Sequence, residues 1–174
     1  MLTTLAGAVN VFYAIQRADQ EMREDLLSRT RLVAEAVNIE RIKALTGTAA
    51  DLDTPAYLRL KAQLAAVRAF EPKYRFVYLM GQRPGGDVFF FVDDRSVGHE
   101  EEAPAGMIYD DVPKGFKRVL ATGVASVEGP FTDKWGSFVS GCVPLTDPQS
   151  GKVLAVLAVD FDARQWPKAN FWPI

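Results

Sequence analysis

A chain of 174 residues, 48% hydrophobic and 24% charged, has the make-up of one globular domain with its own core, not of a disordered chain. Its 20 basic and 22 acidic residues leave a formal net charge of −2, so there is no basic field to attract nucleic acid. The single cysteine, Cys142, cannot form an internal disulfide, and with a single histidine, His99, a metal site or catalytic triad would have to be built almost entirely from other residue types.

The first predicted element is one long helix, from about Thr3 to Val37, in which glycine and proline are nearly absent. Phe12, Ile15, Asp19, Met22, Leu26, Thr30, Val33 and Val37 fall on one stripe in three- and four-residue steps. This is a heptad-like seam with one step out of phase, between Leu26 and Thr30. Two readings stay open: an amphipathic helix laid on its own domain, or a helix that also pairs with its copy in a homodimer. The apolar run Leu5 to Ile15 is too short to span a bilayer. It reads either as the first turns of a buried helix or as the outer end of a membrane helix cut short. Trp166, Phe171 and Trp172 near the other end favour the membrane reading, because tryptophan is enriched where chains meet bilayers.

A short helix is predicted over Ile39 to Leu45, stopped by Gly47, and Thr54-Pro55 marks the start of another, with threonine as the cap and proline at the first helical position. Tyr57, Leu60, Leu64 and Val67 form its apolar face, and Pro72 ends it. Beyond Pro72 the period becomes two. Tyr74 to Met80 and Val88 to Val92 read as strands joined by the turn-rich Arg83-Pro84-Gly85-Gly86-Asp87. That turn lacks the glycine spacing of a nucleotide-binding loop. A long irregular stretch, Asp93 to Asp111, is of the length that is usually functional. A helix over Val112 to Thr122 follows, then a strand near Val124 to Glu128, broken by Gly129-Pro130. Trp135 to Leu145 and Lys152 to Phe161 are two more strands, turned at Asp147 to Gly151. The last carries a continuous apolar run, Val153 to Val159, as expected of a strand covered on both faces. Short hairpins make the sheet mostly antiparallel.

This order of elements resembles the PAS-like Cache fold of extracytoplasmic sensor domains in bacterial histidine kinases, diguanylate cyclases and chemoreceptors. The matching pieces are Asp53-Thr54-Pro55 with Tyr57 and Leu58, the run Tyr74 to Met80, Phe91-Val92-Asp93, and Pro104, Gly106 and Tyr109. They continue through Thr122-Gly123, Glu128-Gly129-Pro130, Asp133, Trp135 to Ser140, and Gly151 with Val159 to Asp162. The resemblance spans about Val33 to Trp166. It implies an α+β fold: a mostly antiparallel five-stranded sheet with a long N-terminal helix and short helices on the sheet. It also implies a small-molecule pocket between the sheet and the long loop, and signalling through the N-terminal helix and the segment after Trp166. The corresponding division is a signalling and dimerisation helix over 1–38, a sensor domain over 39–166, and a segment over 167–174 leading to a membrane helix. The parent would be an inner-membrane receptor with this domain in the periplasm.

Read residue by residue, the candidate ligand-binding set is Tyr78, Phe91, Asp93, Tyr109, Trp135, Ser137 and Asp160. Tyr78 shares a strand face with Tyr74, Phe76 and Met80, and its hydroxyl needs a partner if buried. Arg75 faces the other way, as a surface or salt-bridged group. Phe91 and Asp93 share a face at a strand end beside the loop in which Tyr109 can close as a lid. Trp135 and Ser137 are in phase, with Gly136 permitting close backbone approach. Asp160, an aspartate in an apolar strand, must be paired. Backbone amides, an arginine and a ligand amine all remain open as that partner, the last as in amino-acid-sensing relatives. His99 with Glu100, Glu101 and Glu102 reads as a solvated acidic loop, and Cys142 as a small buried hydrophobe. No cofactor or metal is implied, and nothing sets a nucleophile, base and orienting group together as an enzyme needs. The expected ligand is an amino acid, an amine or a small organic acid. The alternative is a ligand-independent dimerisation module, in which Tyr78, Tyr109, Trp135 and Asp160 pack together with no cavity between them.

Overall fold

The structure, a computed structural model, describes residues 2–167. Helix α1 runs Leu2–Glu35, α2 Ile39–Lys43 and α3 Pro55–Phe70, with a short 3-10 turn at Ala49–Asp51 between the last two. Strands β1 (Tyr74–Gln82) and β2 (Val88–Asp93) form a hairpin. The long loop then leads to α4 (Lys114–Thr122) and to β3 (Ser126–Asp133), β4 (Gly136–Thr146) and β5 (Val153–Asp162). The five strands form one sheet in the order β2-β1-β5-β4-β3, every neighbouring pair antiparallel. The expected α+β fold and five-stranded sheet are therefore observed. Strand β5 lies in the middle, which accounts for its unbroken apolar run.

Local chemistry sets the helix ends as the sequence predicts. The Thr54 hydroxyl accepts from the Tyr57 amide with Pro55 at the first helical position, and Gly123 closes α4 in the left-handed conformation at φ 67°. Each sheet face carries its own core. On one side Leu26 and Ala34 of α1, Val37 just past its end, Ile42 of α2, and Tyr57, Leu60 and Leu64 of α3 cover Val77, Leu79, Val139, Leu157 and Val159. On the other, Phe116 and Val119 of α4 and Tyr109 of the loop cover Tyr78, Met80, Phe90, Phe138, Cys142 and Ala158. Cys142 is buried, as expected, and burial pushes its thiol well above the usual range.

The out-of-phase step in α1 has a local cause. Gly141 of β4 leaves room for the helix: a Cβ there would stand 2.4 Å from Thr30 Oγ1 and 3.2 Å from Leu26. Thr30, fully buried, donates its hydroxyl back to the Leu26 carbonyl at 2.7 Å. Asp19, the other polar residue of the seam, accepts from the indole N–H of Trp166 at 2.7 Å and pairs with Arg23 at 2.8 Å. From Met22 onward the stripe therefore lies on its own domain, while Val11 and Tyr13 stand exposed at 60% and 67%.

Trp166 corrects the reading of the C-terminal aromatics as a membrane-facing group. It is buried against Phe161, with ring centroids 5.4 Å apart, because its indole finds a carboxylate partner in α1. Phe171, Trp172 and the segment beyond Pro167 lie outside the described residues. Gly129-Pro130, expected to break the chain, instead sits within β3 as an irregularity in its pairing with β4 between Glu128 and Phe131. Among the described residues no helix is long and apolar enough to cross a membrane.

Candidate functional site

Between the sheet and the long loop lies a small cavity of about 20 Å³, room for about one water molecule. Tyr78, Asp93, Tyr109, Trp135 and Asp160 of the predicted set all line it. The four residues whose close packing would have filled the site thus enclose a cavity, narrowed by the contact of the Tyr109 and Trp135 rings, 5.9 Å apart.

Asp160 is the innermost charge. It stands on β5 between Phe76 of β1 and Ser140 of β4, its partners in the register. It is 4% exposed. One carboxylate oxygen accepts the Tyr78 hydroxyl at 3.2 Å and the Ser140 hydroxyl. The other accepts no hydrogen bond from the described residues, and no lysine or arginine pairs with the group. Burial, the largest influence, lifts its pKa from 3.8 to about 7 against the pull of the two hydroxyls. Neither the backbone amides nor the arginine considered from the sequence supply its partner.

Tyr109 is brought over the cavity by the loop's return. Phe90 and Tyr109 donate their amides to Met107 and Val88 at 3.0 and 2.9 Å, so the loop runs along the edge of β2 and covers it. The Tyr109 hydroxyl donates to Asp133 at 2.6 Å, which together with burial holds its proton on. Asp133 also accepts from the Trp135 amide at 2.8 Å. Trp135 belongs to a two-residue turn, Lys134-Trp135, that joins β3 to β4. It is not on the strand, and Gly136 at φ 142° takes the backbone out of that turn. The Lys134 ammonium sits 4.2 Å from the centroid of the Trp135 ring.

Asp93 lines the cavity but is spoken for: Lys61 of α3 donates to it at 2.8 Å, and the Ala103 amide at 2.7 Å. Lys61 also pairs with Glu102 at 3.0 Å. Burial works against the charge on Lys61, and these carboxylates outweigh it, so its pKa rises. Arg75 and Arg95 both pair with Glu101 and lie against the Phe76 ring, each 4.6 Å from its centroid. Arg75 is therefore salt-bridged, one of the two roles expected of it. Glu101 and Glu102, expected to be solvated, are instead half-buried in ion pairs that fasten the loop, whereas His99 and Glu100 are exposed. Among the described residues no three His, Cys, Asp or Glu side chains are placed to hold a metal ion.

Two predicted residues lie elsewhere. Phe91 packs on Phe89 at 4.6 Å, on the opposite face of the sheet. The register of β1 with β2 slips between Leu79 and Met80, so a bulge at Phe91 and Val92 breaks the alternation that would have put Phe91 beside Asp93. Ser137 is exposed and bonds Thr132 at 2.7 Å, because the turn ahead of it ends any alternation with Trp135. A second slip, between Tyr74 and Phe76, likewise removes Tyr74 from the face of Tyr78. Reasoning from sequence passed over Phe76, Phe90, Glu101, Ala103, Asp133 and Phe138 as lining and Ser140 as the partner of Asp160. Phe76 was visible as a neighbour of Tyr78 on its strand face; Ser140 needs the register of β4 on β5.

In fold, a five-stranded antiparallel sheet with a long N-terminal helix, the chain is similar to solved sensor domains of bacterial receptors. No sequence family and no curated protein matches the chain. Among solved structures it is similar to the ligand-binding domain of the Campylobacter jejuni chemoreceptor Tlp3. For the complex with 4-methylisoleucine the TM-score is 0.60 at 16% identity, over 94% of this chain and 60% of that one. For the complex with L-valine it is 0.60 at 17% identity, over 94% and 62%. The extracellular domain of the histidine kinase mmHK1S-Z2 gives a TM-score of 0.52 at 13% identity, over 92% and 62%. The chain spans about three fifths of the length of these solved domains.

Proposed function

We propose that this chain is the periplasmic small-molecule sensor domain of a membrane-anchored signal-transduction receptor, with the cavity beside Asp160 as its ligand site. One observation carries the reading. A carboxylate that is nine-tenths buried, with an oxygen free of hydrogen bonds, faces a cavity walled by Phe76, Tyr78, Phe90, Tyr109, Trp135 and Phe138. Burying an ionisable group without a partner is costly unless something supplies one. A buried carboxylate with a perturbed pKa at a concave aromatic site is a candidate ligand contact. In this reading Tyr78, Asp93, Tyr109, Trp135 and Asp160 form the binding set, the domain occupies residues 39–166, and it carries no chemistry of its own. The helix over 1–38 passes the signal on, pairing with its copy through the exposed stretch that includes Val11, Phe12 and Tyr13.

A thermal-shift screen against amino acids, amines and small carboxylic acids tests the reading, because a ligand that prefers the native state raises the melting temperature. The expected result is a hit that Asp160→Ala removes and Arg75→Ala leaves in place. A panel without hits on a folded protein overturns it, in favour of the dimerising module.

A further inference from the structure

The lining of the cavity specifies more than a small molecule. Four carboxylates border it: Asp93, Glu101, Asp133 and Asp160. Lys61 answers Asp93, and Arg75 and Arg95 answer Glu101. Asp133 and Asp160 have no cation among the described residues, and their like charges act on each other across the site. Among the described residues no lysine or arginine lines the cavity.

The hydrogen-bond donors point the same way. Each tyrosine hydroxyl of the lining is already given to a carboxylate, Tyr78 to Asp160 and Tyr109 to Asp133. The Ala103 amide is given to Asp93. The Trp135 indole N–H is the one lining side-chain donor without a partner, and it is neutral. Above pH 7, where Asp160 is ionised, an incoming carboxylate would meet two uncompensated negative charges and no charged donor to replace its water. A carboxylate can reach Arg75 or Arg95 only by displacing Glu101. An ammonium, by contrast, meets the free oxygen of Asp160 and aromatic faces on several sides. The protein's own Lys134 ammonium already rests on the Trp135 ring at the rim.

We propose that the site takes an organic cation without a carboxylate, an amine on a small apolar body, and discriminates against the corresponding α-amino acid. The cavity is tight, which suits a compact molecule. The inference rests on the sensor reading of the same cavity. It sets this site apart in ligand class from the Tlp3 complexes with L-valine and 4-methylisoleucine.

The test uses matched pairs that differ only in the carboxylate, isobutylamine with L-valine and phenethylamine with L-phenylalanine, titrated calorimetrically into the wild-type chain at pH 8. At least one amine should bind roughly tenfold or more tightly than its amino acid, the worth of one unmatched charged group. Asp160→Asn should weaken it by about a hundredfold, and Arg75→Ala by less than about threefold. Circular dichroism of each variant checks that the fold is kept. Amino acids that bind as well as their amines, above all if Arg75→Ala abolishes that binding, overturn the inference and leave the sensor reading standing. If no amine, amino acid or carboxylic acid binds, both fall together.

Discussion

Asp160→Asn separates the two states of the central carboxylate without changing its shape. Asparagine keeps an acceptor for the Ser140 and Tyr78 hydroxyls and places an amide where the free oxygen stands. The native pKa of Asp160 is raised from 3.8 to about 7, so between those values the folded protein holds a proton that the unfolded chain releases. Stability is then lost as pH rises through this window, the reverse of the ordinary ion-paired carboxylate, and levels off above pH 7. Three pH units at 1.36 kcal/mol each amount to about 4 kcal/mol. Asp94, also raised by burial, slopes the same way in both proteins and cancels in the comparison. Asp19, Glu101, Asp147 and Asp162, whose pKa values are lowered, act at more acid pH. Urea denaturation of both proteins at half-unit steps from pH 4 to pH 8.5 reads the effect. The two should be about equally stable near pH 4. At pH 8 the variant should be more stable by about 4 kcal/mol, or roughly 8–16 °C in melting temperature for a domain of this size. A difference between the two proteins that does not change with pH would refute the reasoning, since it would mean that Asp160 is ionised in the native state throughout.

Lys61→Met leaves Asp93 and Glu102 without their shared cation, and we expect a loss of about 3–5 kcal/mol in unfolding free energy by urea denaturation at pH 7. Gly141→Ala drives a methyl into Thr30 and should cost about 1–3 kcal/mol by thermal melting, whereas Gly86→Ala, in an open turn at positive φ, strains the backbone but displaces no helix. Only the former should increase hydrogen exchange in α1. A bound ligand should slow exchange of the Trp166 indole N–H, seen as a single nuclear magnetic resonance signal. Phe161, which packs on that indole, follows Asp160 directly along β5.

Most of the fold was legible because its elements announce themselves locally. Thr54-Pro55, Gly123 and the Asp147 to Gly151 turn are chemical punctuation, and the apolar run Val153 to Val159, read as a strand covered on both faces, is the central strand. The failures share one cause. Strand alternation was followed across positions where the chain inserts a residue or turns: Phe91 and Tyr74 at register slips, Ser137 just past the Lys134-Trp135 turn. A bulge is a relation between two strands, so one strand's pattern cannot reveal it. Phe90 lines the cavity where Phe91 was expected because of that single inserted residue.

The polar exceptions to the apolar pattern prove to be the informative residues, but in two different ways. Asp19 and Thr30 interrupt the seam of α1, and each is satisfied within the domain, by Trp166 and Arg23 and by the Leu26 carbonyl. Their partners explain them fully, so they mark where the helix docks. Asp160 interrupts the pattern of β5, and its partners explain only half of it: two hydroxyls on one oxygen, nothing on the other, and no countercharge. From sequence the three are alike, each a polar side chain in an apolar stripe. What separates Asp160 from the docking residues is that its charge has no counterion and borders a cavity, and that is visible only once the neighbouring strands are in place. On that ground, Asp160 is where this domain departs from a self-sufficient core, and the proposed cationic ligand would set its charge there, near the end of β5.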